Sequence, residues 1–287
     1  MNVEVFALDC LRHESHDLAD QHAWDDLCRS ARSEHFGGLL GSPPCSTFSV
    51  ARSRPGGPPP LRGESAPEIY GLPGLTPSQK EQCRIGTLHA LRAHEMAQIF
   101  DDRSLPWLAE TPLIRRGHPS VFKLPEWLAL RQRPTIRQSD PDQCQFKDHP
   151  VREPMDTYRK GTTLVGSMDL QGTFRSCSCP VQQWVVPTTG QVISSPHPPL
   201  VGTQRAYLQG SPPPANPGAS EYLTRATAHY PAEFTWQLIG LLAVAMHDRS
   251  HLGLTRVPRP KAASVPTIGC EPGMGAGIFI SNHSQKR

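Results

Sequence analysis

Short apolar runs that end at turn-forming residues alternate along this chain with stretches where apolar residues recur every three or four positions. The first kind has the length of strands and the second the period of helices. Residues 3–9 form a strand-like run ending on the acid Asp9. Residues 21–35 then carry Ala23, Trp24, Leu27, Cys28 and Ala31 at helical spacing on one face. Residues 36–40 form a second strand, which enters a turn of small residues and prolines, Gly41-Ser42-Pro43-Pro44-Cys45. Residues 78–101 predict a long helix, with Ile85, Leu88, Leu91 and Ile99 along one face and Ser78 followed by Glu81 as a capping box. Residues 105–109 predict a third strand, running straight into Glu110-Thr111-Pro112.

Beyond this point the periodicity weakens. Residues 115–215 read as loop-rich, with a short helix over 120–128 and a basic turn, Tyr158-Arg159-Lys160-Gly161, leading into a strand that reaches Gly166. A second strong helix is predicted within 220–247, where Leu238, Ile239, Leu241, Leu242, Val244 and Ala245 make it apolar nearly all round, as expected of a helix buried against a sheet. Residues 251–287 are rich in Pro, Gly, Ser and basic residues and read as disordered. The expected division is therefore 1–114 as the catalytic half of an α/β domain, 115–215 as a variable region, 216–250 as a helix returning to the core, and 251–287 as a tail.

Composition narrows the class. With 31 prolines in 287 residues, about 11% and roughly twice the usual share, the chain favours long loops around a modest core. Mean hydropathy is −0.43, and the apolar run over 238–246 is too short to cross a bilayer. A net charge of +3 is compatible with a polyanionic partner without demanding one. Eight cysteines are scattered at 10, 28, 45, 83, 144, 177, 179 and 270 with no signal-peptide pattern before them. The expectation is an intracellular protein with reduced thiols, nuclear in a eukaryote and cytoplasmic otherwise, monomeric and not associated with membranes.

The candidate chemistry gathers at strand ends. Proline fixes its own φ and restricts the residue before it, so Pro43-Pro44 would hold the Cys45 thiol in a narrow set of positions. Such a cysteine is either a nucleophile or an ordinary buried thiol after a turn. A βαβ crossover through 78–101 would bring the ends of both flanking strands, and with them Cys45 and Glu110, to one edge of a parallel sheet. The stretch after Cys45 carries Arg52, Arg54 and Arg62 among glycines and prolines, either a phosphate clamp or a solvated linker. Cys144, Cys177, Cys179 and His197 are four residue types that bind zinc, but a single Cys-X-Cys with remote partners is a weak metal pattern. Unliganded thiols are the expectation there.

The stretch Gly41-Ser42-Pro43-Pro44-Cys45-Ser46-Thr47-Phe48-Ser49 resembles the nucleophile motif of the C5-cytosine DNA methyltransferases, Gly-X-Pro-Cys-Gln-X-Phe-Ser, with Ser46 in place of the glutamine. Glu110-Thr111-Pro112 is similar to that family's Glu-Asn-Val or Glu-Asn-Pro signature, and the two motifs fall in the family's order. Methyltransferase-like sequences of mobile elements share the Pro-Pro-Cys-Ser turn and an arginine loop after it. The resemblance covers residues 3–114 and thins from there to about 245. It implies a Rossmann-like methyltransferase sheet with helices on both faces, S-adenosylmethionine as cofactor, and DNA, or alternatively RNA, as partner. It also implies Cys45 as the nucleophile on cytosine C6, Glu110 as the partner of N3, and Arg159 as the contact to the cytosine O2. Asp9, Asp17 and Pro43 would serve the cofactor, and Ser49, Arg52, Arg54 and Arg62 the nucleic acid. The family's Phe-X-Gly-X-Gly loop is absent, because Met1 stands at the start of what corresponds to the family's second strand. An amino-terminally truncated domain is thus expected, acting as a methyl transferase or, alternatively, retained as an inactive methyltransferase-like domain that binds nucleic acid.

Overall fold

A computed structural model of the chain describes residues 2–8, 17–33, 35–53, 57–146, 160–170, 174–186, 190–197, 232–251 and 276–283. The elements are β1 (Asn2–Leu8), α1 (Gln21–Arg32), β2 (Gly38–Ser42), α2 (Pro77–Asp102), β3 (Trp107–Pro112), α3 (Pro125–Arg131), β4 (Arg137–Ser139), β5 (Thr162–Gly166), β6 (Gln182–Val185), β7 (Val192–Ser195), α4 (Ala232–His251) and β8 (Ala276–His283). Six strands form one mixed sheet in the order β1-β8-β2-β3-β5-β4, while β6 and β7 form a separate hairpin. Among the described residues only β2 and β3 pair in parallel, Leu39–Gly41 lying against Trp107–Ala109.

Alternation along the strands sorts the core into two layers, because successive side chains leave opposite faces of a sheet. Leu39, Trp107, Ala109 and Val165 face a cluster built from α1, α2 and α3, including Trp24, Leu27, Ala90, Phe100 and Trp127. Leu40, Leu108 and Leu164 face the other way, onto Phe234, Leu238, Ile239, Leu242 and Met246 of α4. Helices therefore cover both faces of the sheet. On the first face Trp127 packs against Phe122 with ring centroids 4.9 Å apart, and its indole N–H donates to the Ala90 carbonyl at 3.0 Å. Although α4 is apolar nearly all round, it buries one side only. Trp236 (69% exposed) and Val244 lie on its outer surface. No helix among the described residues is long and apolar enough to cross a membrane.

Element boundaries depart from expectation at prolines. The cap of α2 is Thr76, whose hydroxyl accepts from the Gln79 amide while the Gln79 side chain accepts from the Thr76 amide, so the box is Thr76–Gln79 rather than Ser78–Glu81. Pro77 dictates this, since its fixed φ and missing N–H suit the first helical position. The β2 and β3 strands run about two residues later than the apolar runs suggest. Pro106 precedes β3 and, having no N–H, contributes only its carbonyl, which accepts from Leu39 at 3.1 Å.

A larger correction concerns residues 251–287. Within the stretch expected to be disordered, residues 276–283 form β8, which lies inside the sheet between β1 and β2 and antiparallel to both. Ile278-Phe279-Ile280 is a short run of strand-favouring residues that the tail's average composition conceals. The short helix expected over 120–128 divides into a 3-10 turn at Val121–Lys123 and α3.

Close approach of β5 to β3 requires a glycine. A Cβ on Gly166 would meet the Trp107 carbonyl oxygen at 2.3 Å and the Leu108 Cα at 3.1 Å. Gly166→Ala is expected to destabilise the fold by about 3 kcal/mol, because backbone rather than a flexible side chain must yield. Gly240→Ala, at an exposed helical site with nothing within 4 Å of the added Cβ, should instead stabilise by about 0.5–1 kcal/mol. Chemical denaturation of both variants against the parent reads the two signs.

Candidate active site

Since β2 and β3 are parallel, both chains leave the sheet at the same edge, and the residues that follow are brought together there. Ser42 closes β2 directly beside Glu110, and its hydroxyl donates to Glu110 Oε2 at 3.2 Å. Glu110 is 2% exposed. Three residues after Ser42, Cys45 starts a 3-10 turn over Ser46–Phe48 whose closing bond runs from the Phe48 amide to the Cys45 carbonyl at 2.9 Å. Pro43 beneath it is buried and Cys45 itself is half-buried.

Burial, and after it the Glu110 carboxylate, push the Cys45 thiol up to about 11, while Lys160 acts in the opposite direction. Cys45, Glu110 and Lys160 therefore share one electrostatic neighbourhood. At neutral pH the thiol keeps its proton; loss of the Glu110 charge or approach of a further cation would lower its pKa, while burial still raises it.

The turn after Cys45 is held by an arginine. Arg62 is 3% exposed. Its guanidinium donates to Thr47 Oγ1 (3.0 Å), the Ile69 carbonyl (2.7 Å), Thr87 Oγ1 (3.0 Å) and the Cys83 carbonyl (2.7 Å), and it stacks on Phe48 at 3.9 Å. Burial lowers its pKa to about 10, which leaves it charged at neutral pH. Gly86 makes room for this group, as a Cβ there would meet Thr47 Oγ1 at 2.7 Å and an Arg62 nitrogen at 3.2 Å. Arg62, expected to meet nucleic acid, lies buried with its guanidinium hydrogen-bonded to four protein acceptors and one face stacked on Phe48. The stretch after Cys45 is likewise no plain linker, for Leu61 is fully buried and Arg62 fastens the Cys45 turn to α2.

The other expected residues fall in different places. Arg52 lies on the surface side of the same turn, donating to the Ser46 carbonyl at 2.8 Å and the Pro59 carbonyl at 3.1 Å. Ser49 accepts from the Ala51 amide at 3.2 Å. Asp17 accepts from the Ala19 amide at 2.8 Å, in the turn that precedes the Asp20 cap of α1. Asp9, Arg54 and Arg159 lie outside the described residues. Two residues not anticipated take part in the site. Ser42 could have been found from its position opposite Glu110 once the parallel register was known. Lys160 adjoins Arg159 in the basic turn into β5, and β5 pairs with β3 across Glu110 and Leu164.

Cys144, Cys177, Cys179 and His197, whose thiols are expected to be unliganded, are brought together, and their ligand atoms all lie within 4.8 Å of one another. No disulfide joins these three cysteines, nor Cys28, Cys45 or Cys83.

No family model, no curated protein and no solved structure matches this chain.

Two experiments follow from this geometry. Arg62→Met should lower stability by about 3 kcal/mol, because it strands buried carbonyl and hydroxyl partners, whereas Arg52→Met should change it by less than about 0.5 kcal/mol. Thermal denaturation distinguishes the two. Cys45 alkylation by iodoacetamide at pH 8 should run about 100-fold slower than for an ordinary thiol, as its pKa lies about two units higher. Glu110→Gln should accelerate it by removing a charge that raises the pKa, and Lys160→Met should slow it further. Peptide mass spectrometry of Cys45 follows each rate.

Proposed function

We propose that this chain is a C5-cytosine-methyltransferase-like protein, with a Rossmann-like sheet, whose Cys45 and Glu110 act on a cytosine base in DNA. The observation that carries the reading is the convergence of a thiol and a buried carboxyl group at the shared edge of two parallel strands joined by α2. Helices on both faces of the sheet agree with it.

The chemistry needs this pair. Cytosine C5 is too weakly nucleophilic to take a methyl group unaided. Addition of the Cys45 sulfur to C6 forms a C–S bond and drives the ring electrons toward C5 and N3. Glu110, in its protonated form, donates to N3 and accommodates the charge that develops there. The Ser42 hydroxyl holds one oxygen of Glu110, and so orients the carboxyl group toward the base. Proton uptake by Glu110 from solvent as the base binds would remove the negative charge that raises the thiol pKa, and the thiol proton would leave to solvent as the sulfur adds to C6. A stacked base is out of reach of such a site, so the target would be turned out of the duplex.

The methyl donor that the resemblance implies is S-adenosylmethionine, which supplies an electrophilic methyl group when bound. The described residues do not build a cradle for it. Pro43 is buried under the turn, and the Asp17 carboxylate is engaged by its own loop. That same observation, with a thiol held protonated near pH 7, favours a second reading, a methyltransferase-like domain that binds nucleic acid without turnover.

Duplex DNA carrying 5-fluorocytosine, incubated with the protein and S-adenosylmethionine, separates the two. The catalytic reading expects a denaturation-resistant protein–DNA adduct that disappears in Cys45→Ser and in the absence of cofactor. If no adduct forms and calorimetry detects no cofactor binding, while DNA still shifts in a gel, the second reading stands and the catalytic one is abandoned.

A further inference from the structure

We propose that Cys144, Cys177, Cys179 and His197 form a structural zinc centre that fastens the β6–β7 hairpin to the β5 side of the sheet. Four donor atoms from three separated segments lie within 4.8 Å of one another. The edges of a tetrahedron of zinc-bound sulfurs measure about 3.8 Å, given zinc–sulfur bonds of about 2.3 Å. Small side-chain rotations therefore close the set around one ion. Cys177 Sγ already stands 3.2 Å from His197 Nε2.

The surroundings are those of a thiolate site. The Gln145 side-chain amide donates to both Cys144 Sγ and Cys179 Sγ at 3.7 Å, and its oxygen accepts from the Ser178 hydroxyl at 3.1 Å. Such N–H···S contacts disperse charge on metal-bound sulfur and fix the ligands in place. Asp142 accepts from the Cys177 amide at 2.8 Å, which sets the Cys-X-Cys backbone against the Cys144 turn. His197 is 7% exposed. Three sulfurs and one imidazole select zinc over harder cations, and a complete set of four protein ligands leaves no open position for catalysis.

The position of the centre indicates what it holds. Cys144 belongs to the turn Gln143–Phe146. That turn is anchored on β5, with the Gln143 amide donating to the Lys160 carbonyl at 2.9 Å and its side chain to Thr162 Oγ1 at 2.8 Å. His197 follows β7 by two residues. An isolated two-stranded hairpin is marginal in water, and one ion bound to Cys144, Cys177, Cys179 and His197 joins the hairpin to the strand that pairs with β3.

The test uses untagged, full-length protein purified under reducing conditions with zinc in the medium. Elemental analysis is expected to find one zinc per chain, reduced to near zero in the Cys177→Ser/Cys179→Ser double variant and retained in His197→Cys. Cobalt added to the chelator-stripped parent should give the intense visible bands of a tetrahedral site and a thiolate-to-metal charge-transfer band in the near ultraviolet. The cobalt readout needs no variant, so it holds even if the double variant fails to fold. Absence of both zinc and the tetrahedral cobalt spectrum overturns the proposal. So does unchanged zinc content in a folded double variant, or a disulfide linking Cys144 to Cys177 or Cys179 in the reduced preparation. None of these outcomes depends on methyl transfer.

Discussion

Two parallel strands cannot be joined by a tight turn; the chain must travel the length of the sheet and return before the second strand begins. Here that return is α2, and the parallel register of Leu39–Gly41 on Trp107–Ala109 follows from it. Everything at the candidate site depends on this pairing. Reversing either strand would send Cys45 and Glu110 to opposite edges of the sheet. A slip of one residue would turn Glu110 toward Trp24 and Phe100 and away from Ser42, since alternate residues of a strand face opposite sides. The register is secured because the same alternation sorts Leu40 and Leu108 onto α4 and Leu39, Trp107 and Ala109 onto α1, α2 and α3.

A buried carboxyl group beside a half-buried thiol is an unstable combination if both are ionised. The arrangement avoids this by keeping the thiol protonated. Removing the Glu110 charge would ease ionisation of the thiol, although burial still opposes it. The Cys45 turn itself must be rigid without relying on charge near the sulfur, and Arg62 provides that rigidity from behind. Its guanidinium saturates two carbonyls and two hydroxyls and stacks on Phe48, two residues beyond the turn's first residue, Ser46. Gly86 is the counterpart on α2, where an added methyl group would press on both Thr47 and Arg62.

Much of the amino-terminal half was legible in the chain. The helical spacing of Trp24, Leu27, Cys28 and Ala31 corresponds to the buried face of α1, and all four are in the core. The pairing of Cys45 with Glu110 followed from the strand–helix–strand order alone. The burial of Arg62 is not legible, because composition near it, rich in Gly and Pro, carries no sign of burial; only three-dimensional packing reveals that Thr47, Ile69, Cys83 and Thr87 converge on it. The cysteine–histidine cluster was visible as residue types but not as a site. Its members span residues 144 to 197, and a metal pattern is readable when ligands repeat at short spacing, not when a turn, a coil and a hairpin contribute one or two each.

The tail shows most clearly why composition fails where topology matters. Averaged over residues 251–287, the sequence looks unstructured, yet a strand needs only a handful of residues, and Ile278-Phe279-Ile280 is enough to enter the sheet between β1 and β2. The direction of β8 then has a chemical consequence. Because it runs antiparallel to β1 and β2, its carboxyl end lies at the edge of the sheet opposite Cys45. Its first residues are the ones at the near edge, Gly277 pairing with Leu8 on one side and Gly41 on the other. A ligand resting over the ends of β1 and β2 would therefore meet the start of β8, with a glycine in its backbone, rather than a loop that follows a central strand. Any cofactor pocket here must be built in that reversed sense.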